Sequence, residues 1–543
     1  MDDTSDISRV EQSAVSVRLI YKGEVEEHML ALIDSSEDQT ADGLRRVLLN
    51  TLSEYGITPV SSKNKLIGQS YDGAPTMSGG LRDVQKQVQN VFPFAYYNHC
   101  IAHRLALCAS ESSSKVPKIA KFFSTVDELI DFFRSSPKGT SYLRRNLPKP
   151  GDTRWFSRNT AIGVLDAWYE NIGTVLFEIA NDNSEKSETQ ITARGLCIQV
   201  QQVEFIFFLK FYRKLFEYFT PVTTMMQKTS IDAIQISSML EDLKAMLTAF
   251  DFGQIWEDTL AADPVMPTVR VRTGWRGIED EIGGSHESWR RSVTAVAKEL
   301  IRLVLENIEW RFANLKKFKW MKLVDPSKFS KQTRLPQKEQ RALIEELSKI
   351  YQFLVPDVIA LENSLDILYN NREIILLLER LVRERDSIIG KKRGRNQMRT
   401  EPRQQLENQG EEHDPELMDR FAVSEQKIFA DAVQEGKPNV QDLLLVIRQA
   451  ELEDALPQVV KLLELAVVTP LTSVHCKRIF SKMKGIISPA RSKMLQKRKE
   501  MLVFLQVEEK ILKWLSGQKY FKDNVVARFK GYNQSRFERF SRK

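Results

Sequence analysis

The sequence predicts a mixed α/β fold over its first hundred residues and an all-helical fold over most of the remainder. The first part alternates short β-branched runs with amphipathic stretches, in the order strand, strand, helix, strand, helix, strand. From about Ile101 the apolar residues recur with the 3.6-residue period of a helix. The first pattern predicts a mixed sheet flanked by helices, and the second predicts packed helices.

The elements of the first part are set by apolar runs and by the turn residues between them. Lys22-Gly23-Glu24 joins the first two runs and is typical of a hairpin with glycine at the turn. Tyr55-Gly56 supplies a stop for the first helix. We expect strands at Ala14–Tyr21, His28–Ile33, Lys65–Ser70 and Pro93–Asn98, and helices over Leu44–Leu52 and from Leu81 onward.

The helical part contains one predicted helix start, one loop and one linker. Thr125-Val126-Asp127-Glu128 has a capping-box pattern, which predicts that a helix begins there. Residues 196–250, 290–324 and 337–389 are amphipathic, whereas residues 261–288 are rich in Gly, Pro and charge and predict an irregular loop. Residues 390–416 are polar throughout and predict a disordered linker. Its KKRGR start is either a nuclear import signal or solvated charge.

Composition and charge limit the class of protein. The chain has 543 residues, 42% of them hydrophobic, and only four cysteines, which make no disulfide framework. No apolar run approaches the ~18 residues of a membrane span and the acidic start is unlike a signal peptide, so we expect a soluble intracellular protein. Of the net charge of +7, residues 471–543 carry +14, with 19 Lys and Arg against 5 Asp and Glu. This basic end either lies along a nucleic acid or is a solvated tail.

Three short motifs carry side chains suited to chemistry, and each has a structural alternative. Asp72 follows a predicted strand inside GQSYDGAPTMSGG, where a carboxylate either holds a divalent metal or forms an ordinary Asp-Gly turn. Cys100 and His103 either begin a zinc site or pack at a strand-to-helix junction. Arg154 and Trp155, in DTRWFSR, either clamp a nucleic acid or form a buried Trp beside satisfied arginines.

Taken together, these motifs resemble a known family. The order DDTSDIS, GQSYDGAPTMSGG, HCIAH, TRW, a long helical region and PLTSVHCKRIFSKMKGIISPARSKM resembles hAT-type DNA transposases, especially transposon-derived relatives among zinc-finger MYM-type and general-transcription-factor repeat proteins. The resemblance covers about residues 1–515. It implies a ribonuclease H-like core interrupted by a helical insertion and completed by a C-terminal dimerisation segment. The expected division is 1–160 for the first part of the core, 161–389 for the insertion, 390–416 for the linker, 417–515 for the dimerisation region and 516–543 for a basic tail.

The resemblance also implies a catalytic set and a departure from it. Family transposases hold two Mg²⁺ ions with two aspartates and a glutamate, because two metals activate the nucleophile and stabilise the leaving oxygen. The aspartates match Asp2 and Asp72, but the position of the glutamate is occupied by Lys477, and the nearest preceding carboxylate is Glu464. We therefore expect no strand transfer and no cofactor, with Mg²⁺ bound by Asp2 and Asp72 only if the protein is active. Only Met1 remains of the strand that precedes the first aspartate in relatives, which predicts a truncated first strand and a truncated N-terminus.

The remaining expectations concern partners and location. The resemblance implies self-association, and association with DNA is a second expected contact; we expect no membrane and no small-molecule substrate. The protein is expected in the nucleus or, failing that, in the cytoplasm. Two alternatives remain open, namely an active metal-dependent nuclease with a substitute carboxylate and a helical scaffold without a nucleic-acid role. Candidate dimerisation residues are Leu471, Arg478, Phe480, Leu502 and Leu505.

Overall fold

The structure is a computed structural model that describes most of the chain. It covers residues 1–135, 157–387 and 438–532, except for gaps at 63–64, 79–82, 267, 274–277, 284, 330–333, 352, 354–356, 386, 489–490, 492 and 519. The predicted linker at 390–416, its KKRGR start and the predicted helix start at Leu81 lie outside the described residues.

The described residues contain short strands near the N-terminus and helices nearly everywhere else. The strands are β1 (Asp2–Ser5), β2 (Glu11–Tyr21), β3 (Glu24–Asp34), β4 (Gly68–Tyr71), β5 (Tyr96–His99), β6 (Thr268–Thr273) and β7 (Ile278–Gly283). The helices are α1 (Ala41–Glu54), α2 (Pro59–Ser62), α3 (Pro75–Ser78), α4 (Val84–Val91), α5 (Ile101–Lys115), α6 (Pro117–Ser135), α7 (Ser157–Ala167), α8 (Tyr169–Asn181), α9 (Ser187–Val200), α10 (Val203–Met226), α11 (Ala233–Thr248), α12 (Phe252–Leu260), α13 (His286–Phe312), α14 (Gln337–Ile350), α15 (Val358–Asn370), α16 (Val440–Gln449), α17 (Pro457–Val468), α18 (Val474–Ile486), α19 (Gln496–Val507), α20 (Glu509–Ser516) and α21 (Phe521–Tyr532). Residues 313–324 and 326–328 form 3₁₀ turns.

The chain forms two compact units. The first unit joins Met1–Cys100 to Val467–Lys543, and the second is Ile101–Ala466. These units are defined by the contacts within the structure. The domain boundaries expected from the sequence stay predictions.

The first unit contains a three-stranded antiparallel sheet in the order β1-β2-β3. The predicted hairpin is confirmed: β2 and β3 pair from Gln12 opposite Asp34 to Tyr21 opposite Glu24. Its turn places Lys22 and Gly23 at φ of 48° and 89°. Glycine adopts such a φ at no steric cost, which is why the sequence turns here.

A second, two-stranded sheet pairs β4 with β5 in parallel. It meets the first sheet at the start of the chain, where the backbone nitrogen of Met1 donates to the carbonyl of Ser70, at 3.3 Å. The four strands predicted from apolar runs correspond to β2, β3, β4 and β5, whereas β1 is not among them. The single mixed sheet predicted from the sequence is present as an antiparallel sheet and a separate parallel pair. The expected ribonuclease H-like order is taken up under the proposed function.

Helices cover both faces of the β1-β2-β3 sheet. On one face, Met1, Val15 and Leu30 pack with Leu48 of α1 and Val88 of α4. On the other face the C-terminal helices pack against the sheet, with Ala14, Met29 and Leu32 in one apolar cluster with residues of α18 and α19; those residues are Cys476, Ile479, Phe480, Met483 and Val503. Residues more than four hundred positions apart thus share one core.

Polar contacts fix the C-terminal helices to the same sheet. Lys499 of α19 forms an ion pair with Asp6 at 2.5 Å, with side chains only 5% and 1% exposed. Glu508 accepts hydrogen bonds from the backbone nitrogen of Met29, at 2.7 Å, and contacts the ring of His28 at 2.9 Å. Because buried charges are costly unless paired, these contacts specify one position for α19 on the sheet.

The second unit is built from helices and one small sheet. Its helix α10 is buried on most sides, and Phe208 and Tyr212 of that helix contact the ring of Phe122 from α6. Two sequence predictions are wrong in this unit. The capping-box pattern at Thr125 lies inside α6, where the Thr125 hydroxyl donates to the carbonyl of Lys121. The predicted loop at 261–288 contains the antiparallel pair β6 and β7. Across the described parts of the chain, no helix has both the length and the apolar character needed to cross a bilayer.

Candidate functional site

Asp2 is held at the first residues of β1. Its backbone lies opposite Ala14 of β2 in the antiparallel register, and its side chain is 4% exposed. Asp3, the next residue along the strand, accepts a hydrogen bond from the hydroxyl of Ser13 at 2.5 Å. The short strand thus places two carboxylates next to the chain start, one of them buried.

Asp72 directly follows β4, as the sequence predicts. Its side chain accepts a hydrogen bond from the backbone nitrogen of Ala74 at 3.3 Å, which is the contact of an Asx turn. A Cβ atom at Gly73 would lie 2.2 Å from the His99 ring, so only glycine lets the turn pass this side chain. The turn chemistry expected at Asp-Gly is therefore present, together with a carboxylate at the end of a strand.

Lys477 is brought to the same place by α18. The preceding residue, Cys476, is fully buried, and its thiol donates to the carbonyl of Ala14 at 3.4 Å. Ala14 is the residue that pairs with Asp2. Because α18 is fixed on β2 at this point, Lys477 lies beside the start of β1.

The pKa of Asp2 is shifted by burial and by the charges around it. Burial raises the pKa of Asp2 from 3.8 to about 6; the Lys477 ammonium lowers it, and the Asp72 carboxylate raises it further. Burial also raises the pKa of Asp3, and the Asp72 carboxylate adds to that rise. Asp72 and Lys477 therefore both lie within electrostatic range of Asp2, and the catalytic positions implied by the resemblance stay a prediction.

The donor set at this place is two aspartates and an ammonium, with Asp3 beside them. No group of three or more His, Cys, Asp or Glu side chains is placed to hold a metal ion in the part of the chain that the structure describes. Asp3 was missed by sequence reasoning. The only signal for it was the repeated acid in MDDTSD, where the resemblance favoured the first aspartate.

Cys100 lies between β5 and α5, and its contacts are those of a packed side chain. It is fully buried, and its sulfur accepts a hydrogen bond from the backbone nitrogen of Ser473 at 3.4 Å. The backbone nitrogen of Cys100 donates to the carbonyl of Tyr71 at 2.8 Å, which closes the end of β4. These contacts favour the structural interpretation of Cys100, and a zinc role for Cys100 with His103 stays a prediction.

The DTRWFSR motif lies partly outside the residues that the structure describes. Arg154 and Trp155 are not among the described residues, so their role stays a prediction. Arg158, at the end of the motif, lies over the ring of Phe123 with its guanidinium carbon 4.3 Å from the ring centroid, and it pairs with Asp127 at 3.3 Å. Arg158 is thus held by contacts within the protein, as expected if the arginines of this motif have a structural role.

The candidate dimerisation residues differ in exposure. Leu471 and Phe480 are buried, at 4% and 2% exposure, and Phe480 packs within the core under the sheet. Arg478 pairs with Glu27 at 3.5 Å. Leu502 is half-buried, whereas Leu505 is 45% exposed. Of these residues, Leu505 offers the most apolar surface to a partner, and the role of all five stays a prediction.

The strands β1–β5 and the helices that cover them define a mixed α/β domain. Its beginning is similar to a known domain: residues 1–82 match the family model described as ZMYM1/FAM200, RNase-like domain (DUF4371). The match includes Asp2 and Asp72 and ends before Lys477. It fits a transposase-derived relative of zinc-finger MYM-type proteins, and the assignment to the hAT type stays a prediction.

Proposed function

We propose that the chain is a transposase-derived protein with a ribonuclease H-like core that has lost strand-transfer chemistry and acts by self-association and DNA contact. One observation carries the proposal: the Lys477 ammonium and the Asp72 carboxylate both lie within electrostatic range of the buried carboxyl of Asp2. A lysine at this position removes a ligand and repels divalent cations, by about 4 kcal/mol per pair of unit charges 4 Å apart at an effective dielectric constant of 20. The donor set therefore does not fit a two-metal site.

The topology supports the ribonuclease H-like part of the proposal. The order β3-β2-β1 is antiparallel, and β4 meets the start of β1 through the bond between Met1 and Ser70, with β5 parallel on the far side of β4. Helix α18, which carries Lys477, packs on β2 from a distant part of the chain. This is the order expected of a core that is interrupted in sequence and completed in space.

Catalytic loss is tested by a cleavage assay on the full chain. Supercoiled plasmid with Mg²⁺ or Mn²⁺ is expected to stay intact with the natural chain and with Asp72→Ala. Cleavage by the natural chain that disappears in Asp72→Ala would contradict the proposal and favour an active nuclease. In that event Asp3→Asn identifies the substitute carboxylate, since Asp3 is the acid already coupled to Asp72.

An exposed apolar face on α19 and α20 supports self-association. Met501, Leu505 and Trp514 are 55%, 45% and 65% exposed, and α20 buries none of its residues despite its amphipathic sequence. Burying such side chains against a second copy stabilises a dimer by about 25 cal/mol per Å² of apolar surface. We expect the double substitution Leu505→Asp and Trp514→Asp to halve the mass measured by sedimentation, and Val60→Asp, at a 95% exposed site elsewhere, to leave it unchanged. A monomeric natural chain would contradict this part of the proposal.

DNA contact is supported by exposed lysines and arginines of α18, α19 and the segment between them. Lys482, Lys484, Lys493, Lys497 and Arg498 are all exposed. Binding through phosphates weakens as salt rises, with a slope near −0.9 per phosphate contact. We expect the double substitution Lys482→Glu and Lys497→Glu to make the salt dependence less steep, reducing the magnitude of the slope by about two. Lys338→Glu in the second unit should leave the slope unchanged. Absence of duplex binding at low salt would favour the helical scaffold instead.

A further inference from the structure

The 3₁₀ segment that follows α13 in the second unit is unusually long. It runs through 12 residues, Ala313–Val324, whereas 3₁₀ runs longer than about four residues are uncommon. The burial of its side chains follows the three-residue period of a 3₁₀ helix. One row of side chains faces solvent, and the other two rows supply the buried residues Phe318, Trp320, Met321, Leu323 and Val324.

Lysines occupy the row that faces solvent. Lys316 and Lys319 are exposed and Lys322 is half-buried; we call these three residues the lysine row. Side chains at i and i+3 eclipse in a 3₁₀ helix, which rises about 2 Å per residue, so the lysine row places its cations in one line at intervals of about 6 Å. In an α-helix each lysine would instead be turned from the one before it by about 60°.

The backbone beneath the lysine row is held by packing and by a hydrogen bond. The segment packs against α11, α13 and α14. Trp320 is only 1% exposed, and the Tyr369 hydroxyl donates to the carbonyl of Leu323 at 2.6 Å. Because the backbone is fixed in this way, the spacing of the three lysines is set before any ligand arrives.

The charges around the lysine row favour an anion. None of its lysines forms an ion pair among the residues that the structure describes. Glu309, within electrostatic range of Lys316, is already paired with Lys244 at 2.8 Å. Burial lowers the pKa of Lys317 to about 8, and the nearby Arg104 guanidinium lowers it further. Like charges in one line repel one another, and an anion lying along the line relieves that repulsion.

The regular spacing selects one kind of anion. A single phosphate or carboxylate needs only one or two cations, whereas a line of equally spaced cations matches a line of equally spaced anions. Each strand of duplex DNA carries one negative charge per nucleotide along its backbone, and its consecutive phosphates are separated by a distance similar to that between the lysines. A lysine ammonium binds a phosphate as a point charge, which requires position more than orientation.

We propose that the lysine row binds consecutive phosphates of one strand of duplex DNA. Each of its three ammonium groups contacts one phosphate, and the contact reads no base sequence because it reaches only the backbone. The proposal goes beyond the DNA contact proposed for α18 and α19, since it assigns a second site, in the other unit, that is built from different residues.

The salt dependence of duplex binding by the full chain tests the lysine row. The first variant replaces its three members by glutamine: Lys316→Gln, Lys319→Gln and Lys322→Gln. The matched control removes three exposed lysines of the same unit that lie outside the row: Lys115→Gln, Lys121→Gln and Lys186→Gln. We expect the first variant to reduce the magnitude of the slope by about three and the control to reduce it by less than about one. An unchanged slope in the first variant, or an equal reduction in both variants, would overturn the proposal.

Lysine modification of the natural chain tests the same site without any substitution. The chain is acylated with an amine reagent, with and without duplex DNA, and the modified lysines are identified by mass spectrometry. At a duplex concentration of about ten times Kd, the lysine row is expected to react about tenfold more slowly, and high salt should abolish this protection.

The pattern of protection separates this proposal from the proposed function. Protection confined to α18 and α19 would overturn the lysine row alone, and protection confined to the lysine row would overturn the site on α18 and α19 alone. Absence of protection at both places would overturn both. Protection of the lysine row by vesicles of anionic lipid but not by duplex DNA would assign it to a membrane surface and would also overturn the proposal.

Discussion

The buried carboxyl of Asp2 is predicted to cost the first unit stability at neutral pH. Burial raises its pKa from 3.8 to about 6, so the folded unit holds the proton more tightly than the unfolded chain does. The cost is absent below pH 3.8, grows as the pH rises through this range and is complete above about pH 6. A rise of two units corresponds to about 3 kcal/mol.

Asp2→Asn removes the charge and is therefore expected to stabilise the unit by up to about 3 kcal/mol at pH 7.5 and by nothing at pH 3.5. The assay is hydrogen exchange of the β1–β3 amides as a function of urea, because it reports this unit separately from the other. Lys477→Met is the matched second variant. It removes the cation that lowers the pKa of Asp2, so the unit should become less stable at pH 7.5. A stabilisation by Asp2→Asn that does not vary with pH would refute this reasoning.

Three further predictions concern the contacts that hold α18 and α19 on the sheet. Lys499→Met leaves the buried Asp6 carboxylate without its cationic partner and should destabilise the first unit by about 3–5 kcal/mol in urea titrations, with a smaller loss when Asp6→Asn is added. Phe480→Ala should cost about 3–5 kcal/mol by the same measurement, because the side chain is 2% exposed in the core; a loss below 1 kcal/mol would contradict that packing. Partial burial lowers the pKa of His28, but its hydrogen bonds to Glu508 and Glu26 have the larger effect, and the pKa is raised overall. Glu508→Gln should therefore lower the pKa of His28, which NMR titration measures. The stability from this contact is present below about pH 6.5 and declines as the pH rises through the folded pKa; an unchanged titration of His28 would count against it.

Local patterns predicted the first unit well because its elements are determined by neighbours in sequence. The hairpin at Gly23 and the stop at Gly56 both follow from glycines with positive φ. The capping-box pattern at Thr125 failed because a threonine hydroxyl can also bond to a carbonyl within a helix, as it does to Lys121. The pair β6 and β7 was missed because Gly and Pro outweighed the alternation in Thr-Val-Arg-Val-Arg-Thr.

The candidate site could not be predicted from periodicity at all. Asp2 and Lys477 are hundreds of residues apart, and only the family resemblance placed them together before the structure did so. The coupling of Asp3 to Asp72 depends on how the start of β1 meets the end of β4, which is a tertiary property. Local sequence carries no signal for it.

Binding of Mn²⁺ to the natural chain and to Lys477→Glu tests the central claim most directly. The claim is that the Lys477 ammonium stands where a two-metal site needs its third carboxylate. Paramagnetic resonance of free Mn²⁺ is expected to show no binding by the natural chain at this site, and binding by Lys477→Glu that disappears when Asp72→Ala is added. Binding by the natural chain that is lost in Asp72→Ala would contradict the claim, as would a Lys477→Glu chain that binds no Mn²⁺ at all.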